Sequence, residues 1–136
     1  MHMDMWESLK ISFAYDLIYG NITHAKEVWD KAQQLNLRSV PTTALLVKID
    51  DYYLLTENKS KMFEHHIQTD VLNAIYDYLR EIENETLAIR TAADHLAVLL
   101  SIPIEINQDE TKKKAMAYAE RLKDTVKRRT GYSVSV

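Results

Sequence analysis

One stretch constrains this chain more than any other: Thr86 to Leu100, reading Thr-Leu-Ala-Ile-Arg-Thr-Ala-Ala-Asp-His-Leu-Ala-Val-Leu-Leu. Leu87 and Ile89 alternate before its small, polar centre, and Leu96, Val98, Leu100 and Ile102 alternate after it. A period of two is the signature of strands that lay a face on a core, so the segment predicts a β-hairpin. Its turn, Thr91 to His95, is where such a fold would display chemistry.

The chain must supply the rest of the core, and its composition allows it. At 136 residues with 46% hydrophobic content, the length suits one domain, or one domain with a helical extension. A net charge of −3 gives no basic field for sequence-independent binding to nucleic acid. There is no cysteine, which removes disulfides, thiolate nucleophiles and cysteine metal sites. The two glycines, Gly20 and Gly131, are too few for a phosphate-cradling loop of the Walker or dinucleotide kind. No apolar run approaches the roughly 18 to 20 residues of a membrane span, and no charged-then-apolar leader opens the chain. A cytoplasmic location is therefore expected. Met1-His2-Met3 reads as a vector-derived remnant, which would make the chain an excised piece of a longer protein.

Periodicity then orders the elements. A first helix is expected over Asp4 to Tyr19, with Asp4 as N-cap and Gly20 just past its end. It carries two apolar stripes: Trp6, Leu9, Phe13 and Leu17 on one side, and Ile11, Tyr15 and Ile18 nearly opposite. Both stripes could pack within the chain, or the second could be offered to another copy, which makes Ile11, Tyr15 and Ile18 a candidate dimer face. Thr23 is expected to cap a second helix running to about Leu35, and Pro41 ends a linker from Asn36 to Thr42. Thr43 to Asp50 reads as a buried central strand, and Tyr52 to Ser60 as a crossover. Lys61 to Ile82 reads as a helix, followed by the hairpin, with Pro103 closing its second strand. Asn107 or Asp109 can cap a last helix, whose inner stripe is Ala115, Ala119, Leu122 and Val126; Gly131 ends it before a strand from Tyr132 to Val136.

The expected fold class is thus α+β: a βαββαβ plait of the ferredoxin-like, palm-like kind, preceded by two N-terminal helices. The division falls between a helical lead-in over residues 1–41 and the plait over residues 42–136.

Arg90 to Leu100, with Ala92-Ala93-Asp94-His95-Leu96 at its turn, resembles the signature hairpin of GGDEF domains, which make cyclic di-GMP from two GTP. Leu46 to Tyr52 is similar to that family's opening strand, which ends in Asp-x-Asp-x-Phe; here Lys48 stands for the first aspartate and Asp50 for the second. The last helix and Tyr132 to Val136 follow in the family's order, so the resemblance spans roughly residues 42 to 136. It implies a site whose first strand aspartate and acidic third signature residue hold two Mg²⁺ on a triphosphate. Those positions hold Lys48 and Asp94. An ammonium there repels the metals, and one carboxylate cannot replace the water shells of two ions. The signature glutamate corresponds to His95, the guanine-contacting asparagine to Thr56, and the two glycines to Ala92 and Ala93. The Arg-x-x-Asp product-inhibition motif would fall on Glu83-Asn84-Glu85-Thr86, which has neither residue. The resemblance is therefore to a degenerate domain with no catalytic residue, cofactor or metal.

Other groupings are weaker. Adjacent His65 and His66 point about 100° apart on a helix, whereas paired ligands want i, i+4 spacing. Asp50, Asp51, Asp94 and His95 could converge as a His-carboxylate metal cluster, or Lys48 could pair with Asp94 or Asp50 in place of the lost ion. Lys112-Lys113-Lys114 and Lys127-Arg128-Arg129 read as solvated helix ends, and the second run suits the helix dipole. Tyr52, Tyr53, Tyr76 and Tyr78 read as core and rim aromatics that beside a pocket could stack on a ligand.

Degenerate GGDEF-like domains occur in AraC-type bacterial transcription regulators, and Phe13 to Ile22 followed by Leu35-Asn36-Leu37 resembles the lead-in these regulators carry. The resemblance implies a non-catalytic signal-relay and dimerisation domain, a homodimer that meets DNA only through a helix-turn-helix region outside this chain. The alternative expectation is a small-ligand or nucleotide sensor using the altered cleft, lined by Asp94, His95 and Tyr52.

Overall fold

A computed structural model describes residues 5–21, 24–37, 41–82, 87–102 and 108–136, and of residues 5–7, 25 and 108 the backbone alone. The described residues form a mixed α+β structure with five helices and one four-stranded antiparallel sheet. In chain order these are α1 (Met5–Ile18), α2 (Ala25–Gln34), β1 (Thr43–Ile49), α3 (Tyr52–Thr56), α4 (Lys61–Glu81), β2 (Leu87–Ala92), β3 (His95–Leu100), α5 (Gln108–Thr130) and β4 (Val134–Ser135). Across the sheet the order is β2-β3-β1-β4. Among the described residues no helix is long and apolar enough to cross a membrane.

Helix ends follow local chemistry. At α1, Gly20 takes a positive φ of 75°, its N–H donates to the Leu17 carbonyl, and the Asn21 N–H donates to the Asp16 carbonyl. This paired pattern satisfies the last carbonyls of a helix, and Gly20 supplies the left-handed residue without a Cβ penalty. Asn36 does the same for α2 at φ 56°, with Leu37 N–H on Ala32. His24, with extended backbone, holds the N-cap position of α2; the expected caps Asp4, Thr23 and Asn107, like Pro103, lie outside the described residues. Ser60 caps α4 by accepting from the Phe63 N–H at 3.1 Å. Gly131, at φ 81°, ends α5, where Lys127 Nζ donates to its carbonyl.

The sheet is covered on both faces. Beneath one face α4 and α5 bring Ile67, Val71, Ile75, Leu79, Leu122 and Val126 against Leu45, Val47, Ile49, Leu96, Val98 and Leu100. On the other, Phe13 and Ala14 of α1 and Ala32 and Leu35 of α2 meet Leu87, Ile89, Ala97 and Leu99. β3 is therefore the strand buried on both sides, and the register Leu87↔Leu99 and Ile89↔Ala97 puts the alternation of β2 on the α1 side while that of Leu96, Val98 and Leu100 faces α4.

Three expectations need correction. β1 is not buried on both faces: Leu45, Val47 and Ile49 point inward, whereas Ala44, Leu46 and Lys48 lie exposed, Leu46 at 67%. The lead-in covers only the β2–β3 half of that face, which an apolar run cannot reveal. The crossover carries a helical turn, α3, entered through Asp51 at φ 55°. The hairpin turn is shorter than Thr91 to His95, because Ala92 pairs with His95 and a register shift between Arg90 and Ala92 takes up Thr91.

Candidate functional site

Two pieces of backbone build the corner where the candidate residues meet. The Ile49 N–H donates to the Asp94 carbonyl at 2.8 Å, and Lys48 stands opposite His95 in the β1–β3 register. The sheet thus brings the end of β1 against the turn of the hairpin, as the spacing of the sequence required. What the side chains do there differs from a metal site.

Asp94 is 4% exposed and its Oδ1 lies 2.7 Å from His95 Nδ1. The imidazole itself stands half in solvent. A buried carboxylate orienting an exposed imidazole is the geometry that prepares a histidine for general-base work. Among the described residues no hydroxyl is bonded to its other nitrogen, so no nucleophile completes such a triad. Asp50 is held on the opposite edge of β1: its Oδ1 accepts from the Ser135 hydroxyl at 2.6 Å, and its N–H donates to the Ser133 carbonyl. Lys48 is exposed and forms no ion pair with Asp94 or Asp50, which corrects the expected internal salt bridge; histidine and serine partners take its place. Asp50 is thereby turned away from the Asp94–His95 pair, and among the described residues no group of three His, Asp or Glu side chains could hold a metal ion.

The remaining positions are committed to structure. Thr56 is buried and its hydroxyl donates to the Tyr52 carbonyl at 2.9 Å, one turn back. Ala92 and Ala93 are exposed, and the Ala93 carbonyl accepts from Gln68 Nε2. Tyr52 is buried with its ring edge-on to exposed Tyr53, and its hydroxyl accepts from Gln68 at 2.8 Å; burial raises its phenol above the usual value. Tyr78 is pushed up to about 12 by burial, and its hydroxyl donates to the Tyr118 carbonyl.

On α1, Ile11 and Ile18 are half-buried against the second cluster, and the Tyr15 hydroxyl donates to the Arg90 carbonyl at 2.9 Å while its ring stacks on Tyr19. This stripe therefore serves the chain's own sheet. His65 and His66 are exposed on α4, with His65 Nε2 3.4 Å from the Thr69 hydroxyl. Lys112, Lys113 and Lys114 are exposed, but Arg129 of the second basic run bridges Asp77 and Glu81 of α4.

Sequence reasoning missed a cavity of about 860 Å³ beside the edge strand β2, between α1 and α4. None of Lys48, Asp50, Asp51, Tyr52, Asp94 or His95 lines it. Its walls come from segments far apart in the chain, from Lys10 to Leu96, with no shared motif to announce them. No family model matches this sequence, and no curated protein or solved structure matches it.

Proposed function

We propose that this chain is a non-catalytic regulatory domain, a signal-relay and dimerisation module of a cytoplasmic AraC-type transcription regulator built on a degenerate GGDEF-like plait. The observation that carries the reading is the corner of β1 and the hairpin. It keeps the juxtaposition that a two-metal phosphoryl-transfer site needs, yet presents an exposed ammonium at Lys48 and a carboxylate at Asp94 already turned to His95. Positive charge at that point works against two Mg²⁺ ions, and the committed carboxylate leaves few lone pairs to replace their water. Strand order β2-β3-β1-β4, with α4 and α5 beneath one face, supports the ferredoxin-like plait, since that order joins two βαβ-type halves around a central pair.

The relay itself rests on α1. Phe13 anchors it in the second cluster, and Tyr15 ties it to the hairpin strand at Arg90. An input that shifts α1 would move its exposed residues, Leu9 and Tyr19, relative to the sheet, and so change how a partner copy is held. DNA would be met through a helix-turn-helix region outside this chain.

Light scattering across a dilution series, alongside an assay for cyclic di-GMP from GTP and Mg²⁺, tests the two halves separately. The expected result is a concentration-dependent dimer, weakened by Leu9→Glu, and no cyclic dinucleotide. A strict monomer at high concentration overturns the dimerisation half. Product formation overturns the non-catalytic half.

A further inference from the structure

The groove beside β2 carries chemistry that the corner lacks. Ile11 of α1 and Leu72 of α4 give it apolar walls; Lys10, Arg80 and Arg90 bring three cations to it, and none of its lining residues among those described is acidic. Asp77 holds the Arg80 guanidinium. Arg90 is bonded to the neutral amide of Gln68, and Lys10 has no ion pair, among the described residues. Two cations thus face this cavity without a carboxylate, among the described residues, to neutralise them. Such a site favours a ligand that brings the missing negative charge, and its volume lies within the roughly 300–1,000 Å³ typical of small-molecule pockets.

The edge strand decides between a small molecule and a peptide. A peptide that adds to a sheet edge needs the outward carbonyls and N–H groups of that edge. Here the Ala88 carbonyl accepts from the Tyr76 hydroxyl at 2.7 Å, and the Arg90 carbonyl from the Tyr15 hydroxyl. Both tyrosines line the groove, so its backbone is already capped and what remains available is side-chain charge over an apolar floor. We infer that the groove between α1, α4 and β2 is a binding site for a small organic anion, an apolar or aromatic body carrying one carboxylate, sulfonate or phosphate group. The inference does not depend on the regulatory reading.

The test titrates the whole protein at low salt with anionic 1-anilinonaphthalene-8-sulfonate and, in parallel, its uncharged analogue N-phenyl-1-naphthylamine, and locates each by amide chemical shifts. The sulfonate is expected to bind about tenfold or more tighter than the neutral analogue, since each 1.4 kcal/mol is tenfold. Its shifts should centre on α1, α4 and β2, and Lys10→Gln should reduce the preference at least threefold. The Lys10 side chain makes no hydrogen bond among the described residues, so that variant should leave the fold intact; Arg90→Gln is the second probe. Equal affinity for the two compounds, shifts elsewhere on the molecule, or a preference untouched by both variants would each overturn the inference. So would an extended acidic peptide that protects the Ala88 and Arg90 amides from exchange, since it would make the groove a strand-addition site.

Discussion

The two faces of the sheet are closed in different ways. Under one, α4 and α5 run the breadth of the sheet and seal a continuous apolar layer from Leu45 to Val134. Over the other, α1 and α2 cover β2 and β3 only, and the row Ala44, Leu46 and Lys48 on β1 stays open. The difference sets a continuous core layer against a partial cover. Local stability tracks buried apolar contact, so the lead-in should open at a lower free energy than the rest.

The largest effect belongs to the continuous layer. Ile75→Ala, at a fully buried position, should cost about 3 kcal/mol and lower the denaturation midpoint of the whole protein by far-UV circular dichroism. Phe13→Ala removes a larger side chain, yet only about 2 kcal/mol of it should reach the global transition, because α1 can leave alone. Both tryptophans, Trp6 and Trp29, lie in the lead-in, so fluorescence follows that region while circular dichroism follows the whole chain. In the Phe13 variant the fluorescence transition should precede the other; coincident transitions would break the comparison and make the molecule a single cooperative unit.

Tyr78, held in the α4–α5 layer, sharpens the same point through pH. Its folded phenol is raised to about 12 from an ordinary value of 10.0. As pH climbs above 10 the unfolded chain loses this proton first, so the stabilisation present below that value drains away until the folded phenol ionises near 12. The loss should be on the order of 2 kcal/mol, and Tyr78→Phe should flatten that limb of the stability curve. Leu46→Gln, on the open face, should change stability by no more than about 0.5 kcal/mol. A cost several times larger would mean that the face is covered after all.

Much of this frame is legible in the residues, for identifiable reasons. The hairpin, the helix from Lys61 and the inner stripe Leu122 and Val126 are written as periods of two and of 3.6, which the described elements follow. Period alone could not say which side each alternation faces, because that depends on the pairing of β2 with β3 and on where α1 lands. The short α3 was hidden for another reason: Tyr52 to Thr56 is too brief to show a period, and its entry relies on Asp51 taking a left-handed backbone. At the corner, sequence order anticipated that Lys48 and the hairpin turn would meet. It could not anticipate that Asp94 would choose its own neighbour His95, or Asp50 the hydroxyl of Ser135, since both are local competitions among polar groups decided by side-chain direction.

β4 pairs with β1 only at Lys48 and Ile49. Over Thr43 to Val47, then, no strand among the described residues lies on that side of β1, and the hydrophobic side chain of Leu46 stands beside the gap. An unpaired strand with an apolar face is a template for another chain, so aggregation during refolding or concentration would begin here rather than at β2, whose carbonyls are engaged by tyrosines. The charge that borders this stretch is Lys48, where the pairing with β4 begins. Lys48 should thereby keep copies of the sheet from growing into one another, and neutralising it should trade solubility for nothing gained in the fold.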